Sequence, residues 1–185
     1  MRTAHPAPIR WTRDQYYAMG EAGILPERPR VELIEGEILQ MSPHNHRHRH
    51  VIAFSNTVLV RLFGDTHVVQ VQLPLDLGTY SQPEPDFSLV PIDQAQRVTL
   101  HPTCPDLVIE VSDTTLAYDR RKGRIYAGAG IPEYWIVNLR KKVLEVHRGP
   151  LEGRYSSTTL HRPDQPVAPA FRPELPIPLQ SFFPA

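Results

Sequence analysis

The sequence predicts a mixed α/β fold in which a central sheet of about five or six strands is flanked by helices. Three observations carry this expectation. From residue 46 to 63 the apolar residues Val51, Phe54, Val58, Leu59 and Leu62 recur at helical spacing, and Gly64 supplies the stop. The stretch PDLVIEVS, residues 105–112, is apolar almost without interruption, the pattern of a strand buried on both faces in the middle of a sheet. Helices also interleave with hairpins and central strands along the chain.

In chain order, Thr12 is placed to cap a short helix, TRDQYYAMGEAG, in which Tyr16 and Met19 fall three apart and Gly23 ends the last turn. A proline-punctuated loop, LPERPR, follows. VELIEGEILQM holds two β-prone runs around Glu35-Gly36 and reads as a hairpin. Alternation puts Glu32 and Ile34 on one face of it and Val31 and Leu33 on the other. After the 46–63 helix, HVVQVQLPL and PDFSLV read as strands joined by the turn-rich DLGTYSQPE. PDLVIEVS comes next, and YDRRKGRIYAGAG is a second long helix despite Gly123 inside it. IPEYWIVNL and KKVLEVHR then make a strand pair around a short polar turn. The tail from Arg162 to Ala185 holds many of the 20 prolines and is expected to run extended over the surface. The expected organisation is a single domain over 1–161 with the tail, 162–185, packed on it.

Composition sets the outer limits. A chain of 185 residues with 41% hydrophobic content suits one globular domain. No apolar run approaches the roughly 18 residues of a membrane span, and the basic N-terminus lacks the apolar stretch of a secretory signal. The expected location is therefore the cytoplasm. The single cysteine, Cys104, forms no intramolecular disulfide and is too few for a thiolate metal site. Twenty basic and twenty acidic residues cancel, so any nucleic-acid site must be a local patch.

Glu110, set in LVIEVS, is the informative residue. A carboxylate inside a buried strand costs several kcal/mol unless it is paired, hydrogen-bonded or bound to a cation. Asp86, which opens the strand DFSLV, is the best candidate to stand beside it. On neighbouring strands about 4.8 Å apart, the two carboxylates would converge on one divalent cation. Magnesium suits such a site, because it is hard, takes oxygen ligands and often keeps several waters. The same residues also fit a plainer reading, in which Glu110 pairs with an arginine and Asp86 merely begins a strand after a turn.

VELIEGE, then MSP followed by a histidine and an amphipathic helix, then EPDFSLV, PDLVIEVS and YDRRKGRIYAGAGIPEYWIV, in that order, resembles the Uma endonuclease family. That family is part of the PD-(D/E)XK restriction-endonuclease-like superfamily, and the resemblance spans roughly residues 12–148. It implies a restriction-endonuclease-like fold and an endonuclease that hydrolyses phosphodiester bonds, of DNA in the first place, with Mg²⁺ or Mn²⁺. By position, Asp86 and Glu110 match the superfamily's metal-binding acids, and Glu32 resembles the earlier acidic residue that supports the metal or its waters. A Glu-x-Lys arrangement would put lysine at 112, where this chain has Ser112. Lys122, on the following helix, resembles a relocated replacement that stabilises charge or positions the attacking water; a solvated lysine in a basic helix is the alternative.

The implied site adds the Val111 carbonyl as a further metal ligand, with Tyr118 against the Lys122 stem. Arg120, Arg121 and Arg124, near Lys122 on the same helix, are the candidate DNA-backbone contacts, although such residues also form an ordinary solvated face. Cutting both strands of a duplex usually needs two active sites, which points to a homodimer. Phe182 and Phe183 could serve that contact or seal the domain's own core. Two other classes stay open: a nuclease-like binding module that has lost hydrolysis, and a different metalloenzyme built on the histidines of HNHRHRH, residues 44–50. If the helix already runs through that segment, only His44 with His48, or His46 with His50, share a face, and zinc wants at least a third ligand. His48 is the one placed to approach a phosphate, at a helix N-terminus where anions are favoured and where Arg47 and Arg49 would add to the attraction.

Overall fold

The computed structural model describes residues 8–41, 45–97 and 101–183. The chain opens with α1 (Arg13–Glu21), started by a capping box in which Thr12 and Gln15 satisfy each other's backbone N–H. The hairpin β1 (Val31–Ile34) and β2 (Glu37–Gln40) follows as a separate antiparallel pair. Its turn residues Glu35 and Gly36 both have positive φ, 51° and 83°, as a right-twisting two-residue turn requires. Next comes α2 (His46–Phe63), capped by the Asn45 side chain and ending at Gly64 as the sequence predicts. Its buried stripe is His48, Val51, Ser55, Leu59 and Phe63, each three or four residues from the last. Phe54, one of the residues that announced this helix, lies 56% exposed and tilts against His50 instead.

Six strands form the main sheet in the order β3-β4-β5-β6-β7-β8. These are β3 (His67–Val71), β4 (Phe87–Pro91), β5 (Leu107–Ser112), β6 (Glu133–Asn138), β7 (Val143–Leu151) and β8 (Arg154–His161), with a short α3 (Ile92–Ala95) after β4. All neighbours are antiparallel except β5 and β6. That one parallel pair needs a crossover, supplied by α4 (Leu116–Gly128). Every residue of β5 and β6 is buried, as expected for strands covered on both faces. One face carries α2: Val51, Leu59 and Phe63 pack on Phe87, Leu89, Ile109, Val111 and Trp135. The other carries α4, where Tyr126 meets Val108, Tyr134 and Ile136.

β8 went unassigned in the sequence because its residues, Ser, Thr and Arg among them, are mostly exposed and show no apolar alternation. The tail differs from the expectation of an extended surface run. Val167 and Ile177 bridge to each other, and Leu179, Phe182 and Phe183 are buried in the α2 core. Phe182 and Phe183 therefore seal this chain's own interior. Fully buried Glu133 fixes the tail: it accepts bonds from Trp135 Nε1 (2.7 Å), Arg148 Nε (2.7 Å) and the Ala170 N–H (2.6 Å). Among the described residues no helix is long and apolar enough to cross a membrane.

The turns of hairpins β1–β2 and β7–β8 share the dipeptide Glu-Gly but not its surroundings. A Cβ on Gly36 would sit 2.7 Å from Arg10 Cβ and 3.1 Å from Arg10 Cα, whereas Gly153, φ 73°, has open space. Gly153→Ala is expected to cost about 1 kcal/mol for the left-handed conformation alone. Gly36→Ala should cost clearly more, because backbone of the 8–11 segment must shift. Thermal melts of the two variants check the ranking, and equal losses would contradict it.

Candidate active site

Two registers bring the acidic residues together. β4 pairs with β5 so that Phe87 faces Ile109, and one further step along both strands sets Asp86 beside Glu110. The Asp86 N–H donates to Glu110 Oε2 at 3.3 Å, and the Val111 N–H donates to Asp86 Oδ2 at 2.8 Å. From α4, Lys122 Nζ lies 2.6 Å from Glu110 Oε1 and 3.1 Å from Glu32 Oε2. Lys122, Glu110 and Asp86 are only 2%, 5% and 7% exposed. They form the floor of a cleft of about 520 Å³ whose walls include Glu32, Leu39, Met41, His48, Tyr118 and Asp119.

Each of these side chains is fixed by a second element. Glu32 points from the hairpin into the cleft and accepts from Tyr118 Oη (2.9 Å), the Glu84 N–H (3.1 Å) and Lys122. Glu110 Oε1 also accepts from Tyr126 Oη at 2.8 Å. Asp86 takes His48 Nε2 from α2 at 3.0 Å and the Gln72 amide at 3.1 Å. One helix face thus presents Tyr118, Asp119, Lys122 and Tyr126, at the spacing that places residues four apart over one another.

Charge follows from this packing. Burial works against the Lys122 cation, but Glu110 and Glu32 outweigh it and hold its pKa above the ordinary lysine value. Lys122 is therefore an ammonium at neutral pH. Burial, then Asp86, Asp119 and Glu32, push Glu110 up to about 8, against the pull of Lys122. Asp86 is likewise penalised by burial, yet the His48 bond and charge, the Val111 N–H and Gln72 take its pKa below the usual aspartate value. Burial opposes the His48 imidazolium, and Asp86 overcomes that and raises its pKa. Burial also raises Asp119, despite a 2.7 Å bond from Thr115 Oγ1.

The donor set suits a hard divalent cation. Among the described residues six carboxylates, Glu32, Glu84, Asp86, Glu110, Asp113 and Asp119, line the cleft beside the Lys122 ammonium, and burial first, then Asp86, Asp119 and Glu32, raise the pKa of Glu110. Asp86, Glu110 and Val111, the residues expected to hold it, all line this cleft. Among the described residues no cluster of three or more His, Cys, Asp or Glu side chains is arranged as a metal centre. Two carboxylates and a carbonyl match a cation such as Mg²⁺ that keeps several of its waters.

Of the histidine run, His44 lies outside the described residues, as do Ser42 and Pro43. His46 and His50 are exposed in α2, and His48 alone turns inward to Asp86. Arg120 makes a two-pronged pair with Glu145, at 2.9 and 2.7 Å. Arg121 pairs with Glu35 at 2.9 Å, and Arg124 is exposed. None of these three arginines is among the residues lining the cleft. Asp119, Tyr126 and Gln72 escaped the sequence reading. For Asp119 and Tyr126 the signal was present, since they share a helix face with Lys122; for Gln72 there was none, because it reaches Asp86 from the bend just past edge strand β3.

A family model described as Uma2, "Putative restriction endonuclease", matches residues 13–180. The crystal structure of "a putative nuclease belonging to DUF820 from Anabaena variabilis" superposes with a TM-score of 0.76 at 21% identity, covering 95% of this chain and 98% of that one. At this identity the likeness establishes the fold, which is restriction-endonuclease-like. The type IIG restriction endonuclease BpuSI matches 58% of this chain and 12% of its own length, at 17% identity and a TM-score of 0.41. No curated protein sequence matches.

Lys122→Met removes the only permanent cation that lines the cleft among the described residues and leaves Glu110 and Glu32 buried. The expected loss is about 3 to 5 kcal/mol, read as a fall in Tm of roughly 2 to 4 °C per kcal/mol. Lys122→Met/Glu110→Gln should recover part of it, because a buried carboxyl that has lost its partner is gone; a double mutant worse than the sum would refute the pairing. A second outcome concerns pH. The raised His48 pKa means that its contribution to stability is full below about 6.5 and fades as pH climbs through its folded value; the lowered Asp86 pKa means that its contribution fades only as pH falls through its own low value. Asp86→Asn should lower the His48 titration midpoint measured by NMR, and an unmoved midpoint would separate the two residues.

Proposed function

The chain belongs to the Uma2 family, described as "Putative restriction endonuclease", and we propose from that premise that it is a metal-dependent endonuclease that hydrolyses DNA phosphodiester bonds. One observation carries the reading: Asp86 and Glu110 stand side by side at the floor of a cleft with the Lys122 ammonium against Glu110. Restriction-endonuclease-like enzymes generally use a divalent metal ion, and Asp86, Glu110 and the Val111 carbonyl would hold Mg²⁺ or Mn²⁺ here. When bound, such an ion supplies Lewis acidity and a water of lowered pKa.

The chain's own residues supply the rest. In hydrolysis a water oxygen forms a bond to phosphorus, a P–O ester bond breaks, and the leaving alkoxide takes a proton. Lys122, held as an ammonium and 2% exposed, places fixed positive charge where negative charge grows on the phosphate oxygens. Glu32 and Tyr118 keep that ammonium from swinging away, and Glu32 is the carboxylate available to orient the attacking water. His48 holds Asp86 in a charged state and lies on the cleft wall, within reach of a bound phosphate. Cleavage of both strands would draw on two copies of this site, which favours a homodimer.

A nuclease-like binding module without hydrolysis is the second reading. It is favoured by Lys122 Nζ already satisfying the two carboxylates Glu110 and Glu32. Supercoiled plasmid incubated with Mg²⁺ or Mn²⁺ separates the two. The nuclease reading expects nicking that EDTA stops and that Asp86→Ala and Glu110→Ala each reduce by about 10²-fold or more, the scale of losing one preorganised electrostatic contact. Cleavage that survives both substitutions would sink the carboxylate site; DNA binding with no cleavage under any metal would select the module.

A further inference from the structure

We propose that Arg47 and Arg140 form a phosphate clamp at the mouth of the cleft, with Asp113 holding both guanidinium groups until nucleic acid displaces it. The clamp rests on the reading of the cleft as a nucleic-acid site and names the residues that bring the backbone to it.

Three elements meet at this point. The parallel pairing of β5 and β6 aligns their C-terminal ends, Ser112 with Asn138, and the Leu139 N–H donates to the Ser112 carbonyl at 2.9 Å. Asp113 and Arg140 therefore emerge next to each other, at the carboxyl ends of the strands where open α/β sheets bind their ligands. The start of α2 arrives from the other side: the Asn45 amide donates to Asp113 Oδ2 at 2.5 Å. That bond occupies one carboxylate oxygen. The other, Oδ1, is shared by Arg47 at 3.9 Å and Arg140 at 3.8 Å.

The character of these pairs suits exchange. The side chains of Arg47 and Arg140 are 58% and 67% exposed, and both stand beyond hydrogen-bond distance from the carboxylate. Exposed ion pairs of this length hold weakly, whereas a phosphate offers each guanidinium a two-pronged charge-assisted contact. Position adds to this. Arg47 directly precedes His48, whose ring is on Asp86, and Asp113 lies three residues beyond Glu110 and lines the cleft together with Asn45. Asp113 and Asn45, rather than the arginines themselves, line the cleft, so a backbone held by the two guanidinium groups meets the cleft at this edge. The contrast with α4 is direct, because Arg120 is tied bidentately to a buried glutamate and Arg121 to the hairpin. With a net charge of zero, the chain has no general attraction for a polyanion, so such a local pair decides.

The test uses the Asp86→Asn chain, disabled for cleavage, with a fluorescein-labelled DNA duplex in EDTA, and anisotropy followed over a salt series. Arg47→Ala and Arg140→Ala should each weaken binding several-fold and reduce the log K against log[salt] slope by roughly one, the double variant by roughly two. Asp113→Asn should act in the opposite sense and tighten binding, which loss of a structural contact would not do. Arg154→Ala, on edge strand β8, should change neither quantity, and matched thermal melts confirm that all variants are folded. If the parent binds but both arginine variants keep its affinity and slope, the clamp is wrong and the nuclease reading stands. If the parent binds no DNA even at low salt, that reading fails and takes the clamp with it.

Discussion

The ammonium of Lys122, seated between Glu110 and Glu32 and almost wholly removed from water, is the interaction on which the rest of this site depends. Desolvating an ammonium and two carboxyl groups in one place is unfavourable unless they compensate one another closely. Here the compensation crosses three elements that are distant in sequence: hairpin β1–β2, central strand β5 and crossover helix α4. The same contact therefore does structural and electrostatic service. It docks the hairpin over the sheet, closing one wall of the cleft, and it fixes a positive charge at the floor. Arg121 repeats the docking at the surface through Glu35 and Glu37, in solvent where the pairs are worth far less.

The sheet supplies the other half of the arrangement. Residues on one strand alternate between faces, so Glu110, flanked by Ile109 and Val111, points away from the α2 core and toward α4. Asp86 lies just before β4 begins, where the strand end leaves room for His48 to reach it from α2 while the backbone N–H of Val111 holds its other side. A carboxylate pair at the edge of two packed layers is thus approached by helices from both. Such convergence buries the pair, and burial first, with Asp86, Asp119 and Glu32 adding to it against the pull of Lys122, raises the Glu110 pKa.

Much of this was legible in the residues. A charge inside LVIEVS demands a partner, and that demand pointed to Asp86. The end of α2 at Gly64, the Glu-Gly turn of the first hairpin and the burial of β5 on both faces followed from local rules. The misses have equally local causes. Phe54 satisfied helical periodicity yet faces solvent, because the buried stripe follows the four-residue steps Val51, Ser55, Leu59 and Phe63 and includes a serine that no hydropathy pattern would select. β8 carries Ser and Thr at exposed positions of an edge strand and so lacks the alternation that identifies strands. The proline-rich tail looked like a surface run, but its few apolar residues are spaced to fill the groove along α2.

By itself, then, the sequence determined that a carboxylate in an apolar strand had to find a partner, because burial and periodicity act over a few residues. The lysine absent from position 112 and present at 122 came from the resemblance to the Uma family, and helical periodicity allowed only His44 with His48, or His46 with His50, to share a face. Tertiary structure decided the partners themselves. That Lys122 reaches across to Glu110 and Glu32, that Asp119 and Tyr126 join it, that Arg120 turns to Glu145, and that Arg47 meets Arg140 over Asp113 all depend on strand register and helix docking between segments as far as 93 residues apart along the numbered chain. Those placements are set by packing of the whole sheet between its two helical layers, and no local pattern encodes them.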